Sequence, residues 1–212
     1  MADSGASAIF RKGLFNENPV VRHVLGICST LAVTNLVMNT LVMNAGLLFT
    51  ISMSSLTVSL LRTVTPVRIR MMVQTLVIAS YVIVVDITIK AWLPEISDAL
   101  GPYVGLIITN CIVMGRCEAF ARSHPPWPAF LDGLATGIGF SMVLFFIAVV
   151  REILGFGTLL GFRVMPEGFV PWTVMIMAPG AFFILGLFIW FVRARFPEFF
   201  ESPAEAGEGA KG

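Results

Sequence analysis

The chain has 212 residues, 57% of them hydrophobic and 13% charged, with a mean hydropathy of +0.87. Soluble domains carry about 25% charged residues, so the composition excludes a soluble globular protein and indicates a polytopic membrane protein. A formal net charge of +1 gives no electrostatic basis for binding nucleic acid, and three cysteines are too few for a disulfide framework.

Residues 1–18 hold the basic pair Arg11-Lys12 but lack the apolar core of a cleavable signal, and are expected to form a cytoplasmic N-terminal segment. An amphipathic patch at 9–15 suits a membrane interface. The first membrane segment is expected over about 19–38. Arg22 and His23 sit at its start, so its uncharged run is only 24–38, which is 15 residues or roughly 22 Å of helix. Cys28 lies inside this run, in LGICSTLAVTN, beside Ser29 and Thr30. The second segment, 41–61, is a full span rich in Met, Ser and Thr, small hydroxyl residues that suit close helix contact. The third, about 69–93, carries Asp86 and Lys90 near its far end and is closed by Pro94.

A Pro- and acid-containing link, 94–102, is expected to lead into the fourth segment, GLIITNCIVMGRCEAFAR at 105–122. Thr109, Asn110 and Cys111 fall at a depth where a spanning helix is normally featureless. From Tyr103 to Gly115 there are 13 uncharged residues, roughly 20 Å of helix against about 30 Å of hydrocarbon. Short, interrupted segments are where membrane proteins place buried sites. His124-Pro125-Pro126-Trp127-Pro128 reads as a rigid loop. The fifth segment spans about 130–150, with Asp132 placed to complement a helix N-terminus. A glycine-rich loop follows at 155–168. The sixth segment, 170–192, holds Pro179-Gly180 as an expected kink. The tail, 198–212, is polar and expected to be disordered.

Six segments form two sets of three, about 19–93 and 101–193, and the first of each set is short. Three is odd, so the second set enters the bilayer from the opposite side and the symmetry is that of an inverted repeat. The expected fold is therefore all-α integral membrane, 19–197, with two half-length helices meeting tip to tip and each presenting a cysteine, Cys28 or Cys111, near the midplane. With the N-terminus inside, eleven basic residues fall on the cytoplasmic side and three outside (Lys90, Arg151 and Arg163). Both termini are then cytoplasmic.

Two mid-depth thiols admit three readings: small buried hydrophobes, a disulfide, or ligands of a soft metal centre. A [2Fe–2S] cluster takes four thiolates, and only two are well placed, so a second chain would have to supply the other pair. Cys117 stands six residues after Cys111, about 120° round the helix and 9 Å along it, and does not converge with it unless the helix breaks at Gly115.

LGICSTLAVTN, LIITNCIVMGRCEAFA, FLDG and REILGFGTLLG resemble the membrane subunits common to the Na+-translocating NADH:quinone oxidoreductase and the Rnf ferredoxin:NAD+ oxidoreductase. The resemblance runs over about 16–197. VQTLVIASYVIVVDITIKAW and IWFVRARFPE are more similar to the D-type subunit of the former than to the E-type subunit of Rnf, the alternative assignment. The resemblance implies six helices with an inverted repeat. It also implies a [2Fe–2S] centre shared with a paralogous subunit of opposite topology, with Cys28 and Cys111 as this chain's ligands. NADH, flavins and quinone would be bound by other subunits, and the location would be a bacterial inner membrane. The complex would pass electrons from NADH to quinone and move Na+ outward. Cys117 departs from the family, which commonly has Ala there, and reads as a small-residue replacement.

Asp86 and Lys90, four apart on one helix face, read as an ion-coupling site or as a near-interface ion pair. Glu118 beside Arg116 and Arg122, and Glu152 beside Arg151, read as headgroup-level charges. Gly155, Gly157 and Gly161 give a near miss to a dinucleotide fingerprint with no preceding strand, which excludes that reading. His23 and His124 form no metal pair, and no catalytic set appears. The rival class is a cofactor-free inverted-repeat transporter or channel, for which Cys28 and Cys111 would be dispensable. A purely structural scaffold for redox neighbours is a third reading.

Overall fold

A computed structural model describes residues 26–34, 36–66, 68–92, 94–159, 162, 163, 172, 174 and 177–195. The amphipathic patch at 9–15, the start of the first segment with Arg22 and His23, most of the loop after 163 and the tail at 198–212 lie outside the described residues. Among the described residues the protein is all-α apart from a pair of two-residue strands. Helices α1 (Ile27–Val33) and α2 (Val37–Leu61) are followed by α3 (Arg70–Trp92) and α4 (Pro94–Ile108). Helix α5 (Cys111–Arg116) continues as a π-helical turn, Cys117–Ala121. Then come α6 (Pro126–Phe156), the strands β1 (Thr158–Leu159) and β2 (Phe162–Arg163) paired antiparallel, and α7 (Ala178–Arg195).

Four stretches among the described residues are long and apolar enough to cross a membrane: Val37–Leu61, Arg70–Trp92, the interrupted Tyr103–Ala121 and Pro126–Phe156. The chain is a multi-pass membrane protein. Helices α2 and α6 pair along their length at the centre, α3 and α4 pack against each other and against α2, and α1 lies against α4 and α7. Close approach of α2 and α6 depends on the Gly133-x-x-x-Gly137 step. Added β-carbons would stand 3.0 Å from the Ile51 carbonyl oxygen and 2.6 Å from Leu48 Cδ1, respectively. Several hydroxyls along α2 bond within their own helix, as in Thr50 to the Gly46 carbonyl at 2.8 Å and Ser52 to that of Leu48 at 2.8 Å. Small polar residues can thus line a helix contact with most hydroxyls bonded locally, although Ser55 Oγ on α2 and Thr136 Oγ1 on α6 are buried without a partner among the described residues. By contrast, α3 turns Met72, Leu76 and Ile87 outward.

Several local expectations change. The link at 94–102 is helical and forms the first part of α4, since Pro94 occupies a first-turn position where no N–H is needed. The break comes instead at Thr109-Asn110, between α4 and α5. The proline cluster after His124 starts α6: Pro125 takes extended backbone (φ −59°, ψ 159°) and Pro126 opens the helix. Pro179 stands in the first turn of α7, so it marks a helix start and not a kink.

Candidate functional site

The site begins with two backbone interruptions. Helix α1 follows Gly26, whose φ of +83° is left-handed and open to glycine without strain. A β-carbon there would come within 2.7 Å of both Ile112 Cδ1 and Phe140 Cε2, so glycine is required by space as well as by φ. Helix α5 follows Asn110, which has extended backbone and whose side-chain Oδ1 accepts from the Ile112 N–H at 2.9 Å. This is an N-cap of the ordinary kind. Its other side-chain atom reaches across the fold: Asn110 Nδ2 donates to Ser29 Oγ at 2.8 Å. Both residues are buried.

Ser29 follows Cys28 and Asn110 precedes Cys111, so this bond and the Gly26–Ile112 contact bring the two cysteine-bearing segments together. Each cysteine lies in the first turn of its helix, and both are exposed on the surface of the single chain. Cys117 is fully buried, with its Sγ 3.7 Å from Ser54 Oγ. Cys111 and Cys117 therefore face different surroundings, and the chain presents two thiols outward. No group of three or more His, Cys, Asp or Glu side chains gathers among the described residues.

The loop joining α1 to α2 is held from below by α6. Glu152 Oε2 accepts from the Val37 N–H at 2.7 Å, capping α2 from a distant element. Arg151 donates to Thr34 Oγ1 at 2.6 Å and to the Met177 carbonyl at 3.2 Å. The sequence pattern places this pair among the headgroups, but both side chains are 2% exposed. The Val37 and Thr34 partners lie more than 100 positions away, so no local pattern could have revealed the role.

Several charges elsewhere form ion pairs. Asp132 is buried and forms an ion pair with Arg116; it does not complement the α6 N-terminus as the sequence suggests. Arg116 also lies 5.6 Å from the Phe120 ring centroid. Glu118 pairs with Arg70 as well as with Arg122, joining the π-turn to α3. Lys90 Nζ donates to Asp86 Oδ2 at 2.6 Å along the α3 surface.

The sequence profile of the family described as "Rnf-Nqr subunit, membrane protein" matches residues 6–189. Among similar proteins, the D-type subunit of the Na(+)-translocating NADH-quinone reductase of Chlamydia felis is 46% identical over 204 residues, covering 91% of this chain and 96% of the relative. The protein of that name from Chlamydia trachomatis serovar L2 is 47% identical over 194 residues (87% and 91%). That from Pseudoalteromonas atlantica is 45% identical over 190 residues (87% and 90%). With a match across most of its length, the chain belongs to the Rnf-Nqr family of membrane subunits.

Proposed function

We propose that this chain is the D-type subunit of a Na+-translocating NADH:quinone reductase and carries half of an intramembrane [2Fe–2S] centre. Relatives bearing that subunit's name align with nearly the whole chain, which supports the enzyme assignment. The observation that carries the cluster reading is the Asn110–Ser29 bond, because it gathers Cys28 and Cys111 although 81 positions separate the bonded pair. The donor chemistry fits. Two soft thiols are exposed on one chain, and a four-thiolate cluster would be completed by two more from a paralogous partner of opposite topology.

A cluster of this kind accepts and gives up one electron, so its place at mid-depth would divide a long transfer across the membrane into two shorter ones. The chain's own residues supply position and electrostatics. Each cysteine lies in the first turn of its helix, α1 or α5, at the positive end of the peptide dipoles, which favours negative charge there. Asn110 and Gly26 fix the spacing of the two turns. The clamp from Arg151 and Glu152 holds the far end of α1, so the Cys28 segment is pinned at both ends. Added negative charge in a low-dielectric interior favours a nearby cation, which would link reduction to Na+ access. Both termini on the cytoplasmic face of a bacterial inner membrane complete this reading.

The test is iron and acid-labile sulfide content, with EPR, of the complex purified with Cys28→Ser or Cys111→Ser. Loss of one [2Fe–2S] signal in each assembled variant supports the proposal. Unchanged iron and turnover would overturn it in favour of a cofactor-free transporter or scaffold.

A further inference from the structure

At the end of the bundle where α2 finishes and α3 begins lies a cavity of about 190 Å3, several times the ~30 Å3 share of a water molecule. Its polar lining is Arg62, Thr65, Arg70, Gln74 and Arg122, over a floor that includes Val58 and Val73. Glu118 is the carboxylate paired with this set: it meets Arg70, Arg122 at 3.2 Å, and Gln74 Nε2 at 3.0 Å. Three guanidiniums against one carboxylate leave a local charge of +2, and no carboxylate among the described residues pairs with Arg62.

Two atoms in this lining are buried without a hydrogen-bond partner among the described residues. Arg70 Nε is a donor and Gln74 Oε1 an acceptor, and the Gln74 side chain is 2% exposed. A buried unpaired polar atom is costly, and the pair specifies an occupant that both accepts and donates. A carboxylate only accepts, whereas a phosphodiester carrying hydroxyls does both. The cavity stands at the mouth of two spanning helices, α2 and α3, where headgroups lie.

We infer that the cavity among Arg62, Arg70, Gln74 and Arg122 binds the headgroup of an anionic, hydroxyl-bearing phospholipid of the phosphatidylglycerol class. The phosphate meets the arginines, and a glycerol hydroxyl donates to Gln74 Oε1. Glu118 keeps Arg70 and Arg122 in place without neutralising the site.

Native mass spectrometry of the intact membrane assembly tests this, after exchange into phosphatidylcholine nanodiscs containing phosphatidylglycerol or phosphatidic acid. The wild type retains phosphatidylglycerol in preference to phosphatidic acid, which has the phosphate but no headgroup hydroxyl. Arg62→Ala, which breaks no ion pair, lowers retention by roughly fivefold. Arg68→Ala, a basic residue outside the lining, leaves it unchanged. Gln74→Met abolishes the preference for phosphatidylglycerol over phosphatidic acid. Equal retention in Arg62→Ala and Arg68→Ala would reduce the effect to surface charge and overturn the site. Displacement of the lipid by millimolar inorganic phosphate would make it a free-anion site, and occupation by a neighbouring protein's side chain, seen as a cross-link from position 62, would make it a contact within the complex. Either result overturns the lipid assignment.

Discussion

Asn110 and Ser29 are joined by a 2.8 Å hydrogen bond, 81 positions apart in sequence and each adjacent to a cysteine. Asn110 also caps α5, so one side chain both ends one helical segment's irregularity and fastens it to another. Ser29→Ala removes only the crossing bond and is expected to cost about 0.6 kcal/mol, the usual scale inside a membrane. Asn110→Ala also removes the cap, and should cost about 1–2 kcal/mol in all. Thermal unfolding of the detergent-solubilised assembly ranks the two. The double variant should be no worse than Asn110→Ala alone, because the shared bond is lost only once.

Gly26 and Gly105 make a matched pair of tests. Gly26→Ala must adopt φ +83° and push against Ile112 and Phe140, while an alanine at Gly105 meets nothing within 4 Å. The first should lose about 1–3 kcal/mol and the second should be near neutral. If the cluster proposal holds, Gly26→Ala should also broaden the EPR signal by misplacing the Cys28 segment.

At the α2–α6 contact, the shorter distance is the lesser obstacle. A β-carbon at position 137 lies 2.6 Å from the end of the Leu48 side chain, which can rotate away. At 133 it lies 3.0 Å from the Ile51 carbonyl oxygen, which cannot move without the helix. Gly133→Ala is therefore expected to destabilise more than Gly137→Ala, by about 1–3 kcal/mol against less than about 1 kcal/mol. Midpoints of thermal unfolding in one detergent compare them directly.

Glu152 should tolerate exchange for Gln and not for Ala. Glutamine keeps an acceptor for the Val37 N–H, whereas alanine leaves that N–H buried and unpaired, at about 1–3 kcal/mol. Arg151→Lys should also fail, because a single ammonium lacks the planar fork that reaches both Thr34 and the Met177 carbonyl. Limited proteolysis at the 34–36 loop measures the loosening in each variant.

Asp132→Ala leaves the Arg116 guanidinium, which is 14% exposed, facing a vacated buried position. Breaking a buried pair from one side costs about 3–5 kcal/mol, so this variant should assemble poorly. The paired change Arg116→Met with Asp132→Leu should recover much of the yield, since an apolar replacement of both partners removes the unpaired charge. Membrane-fraction yield of the two variants decides it.

The membrane class, the cysteine-bearing interruptions and the helical register of Asp86 and Lys90 are legible because each is a local property of composition or spacing. Thr109 and Asn110 stand out as polar residues in an apolar run, and the helix does break there. The start of α4 is hidden because Pro94 and the acidic residues after it look like a linker, yet both suit a helix's first turns. Arg151 and Glu152 read as headgroup charges because a charge near the end of an apolar run usually is one. Only the return of Thr34 and Val37 to that place buries them. Faces are also hard to assign: lipid is as apolar as a core, so the outward Met72 and Leu76 of α3 carry no sequence mark that separates them from inward Ile78 and Val82.

In a helix of constant pitch, the angle between two side chains follows from their separation, about 100° for each residue. The π-turn at Cys117–Ala121 suspends that rule by taking up extra backbone within one turn. Arg116, before it, is oriented by Asp132 on α6, and Glu118, just inside it, is oriented by Arg70 on α3. The turn acts as a swivel between two bearings. Removing a single residue would restore regular winding but rotate one partner set against the other, so the length of this segment is fixed by direction more than by reach.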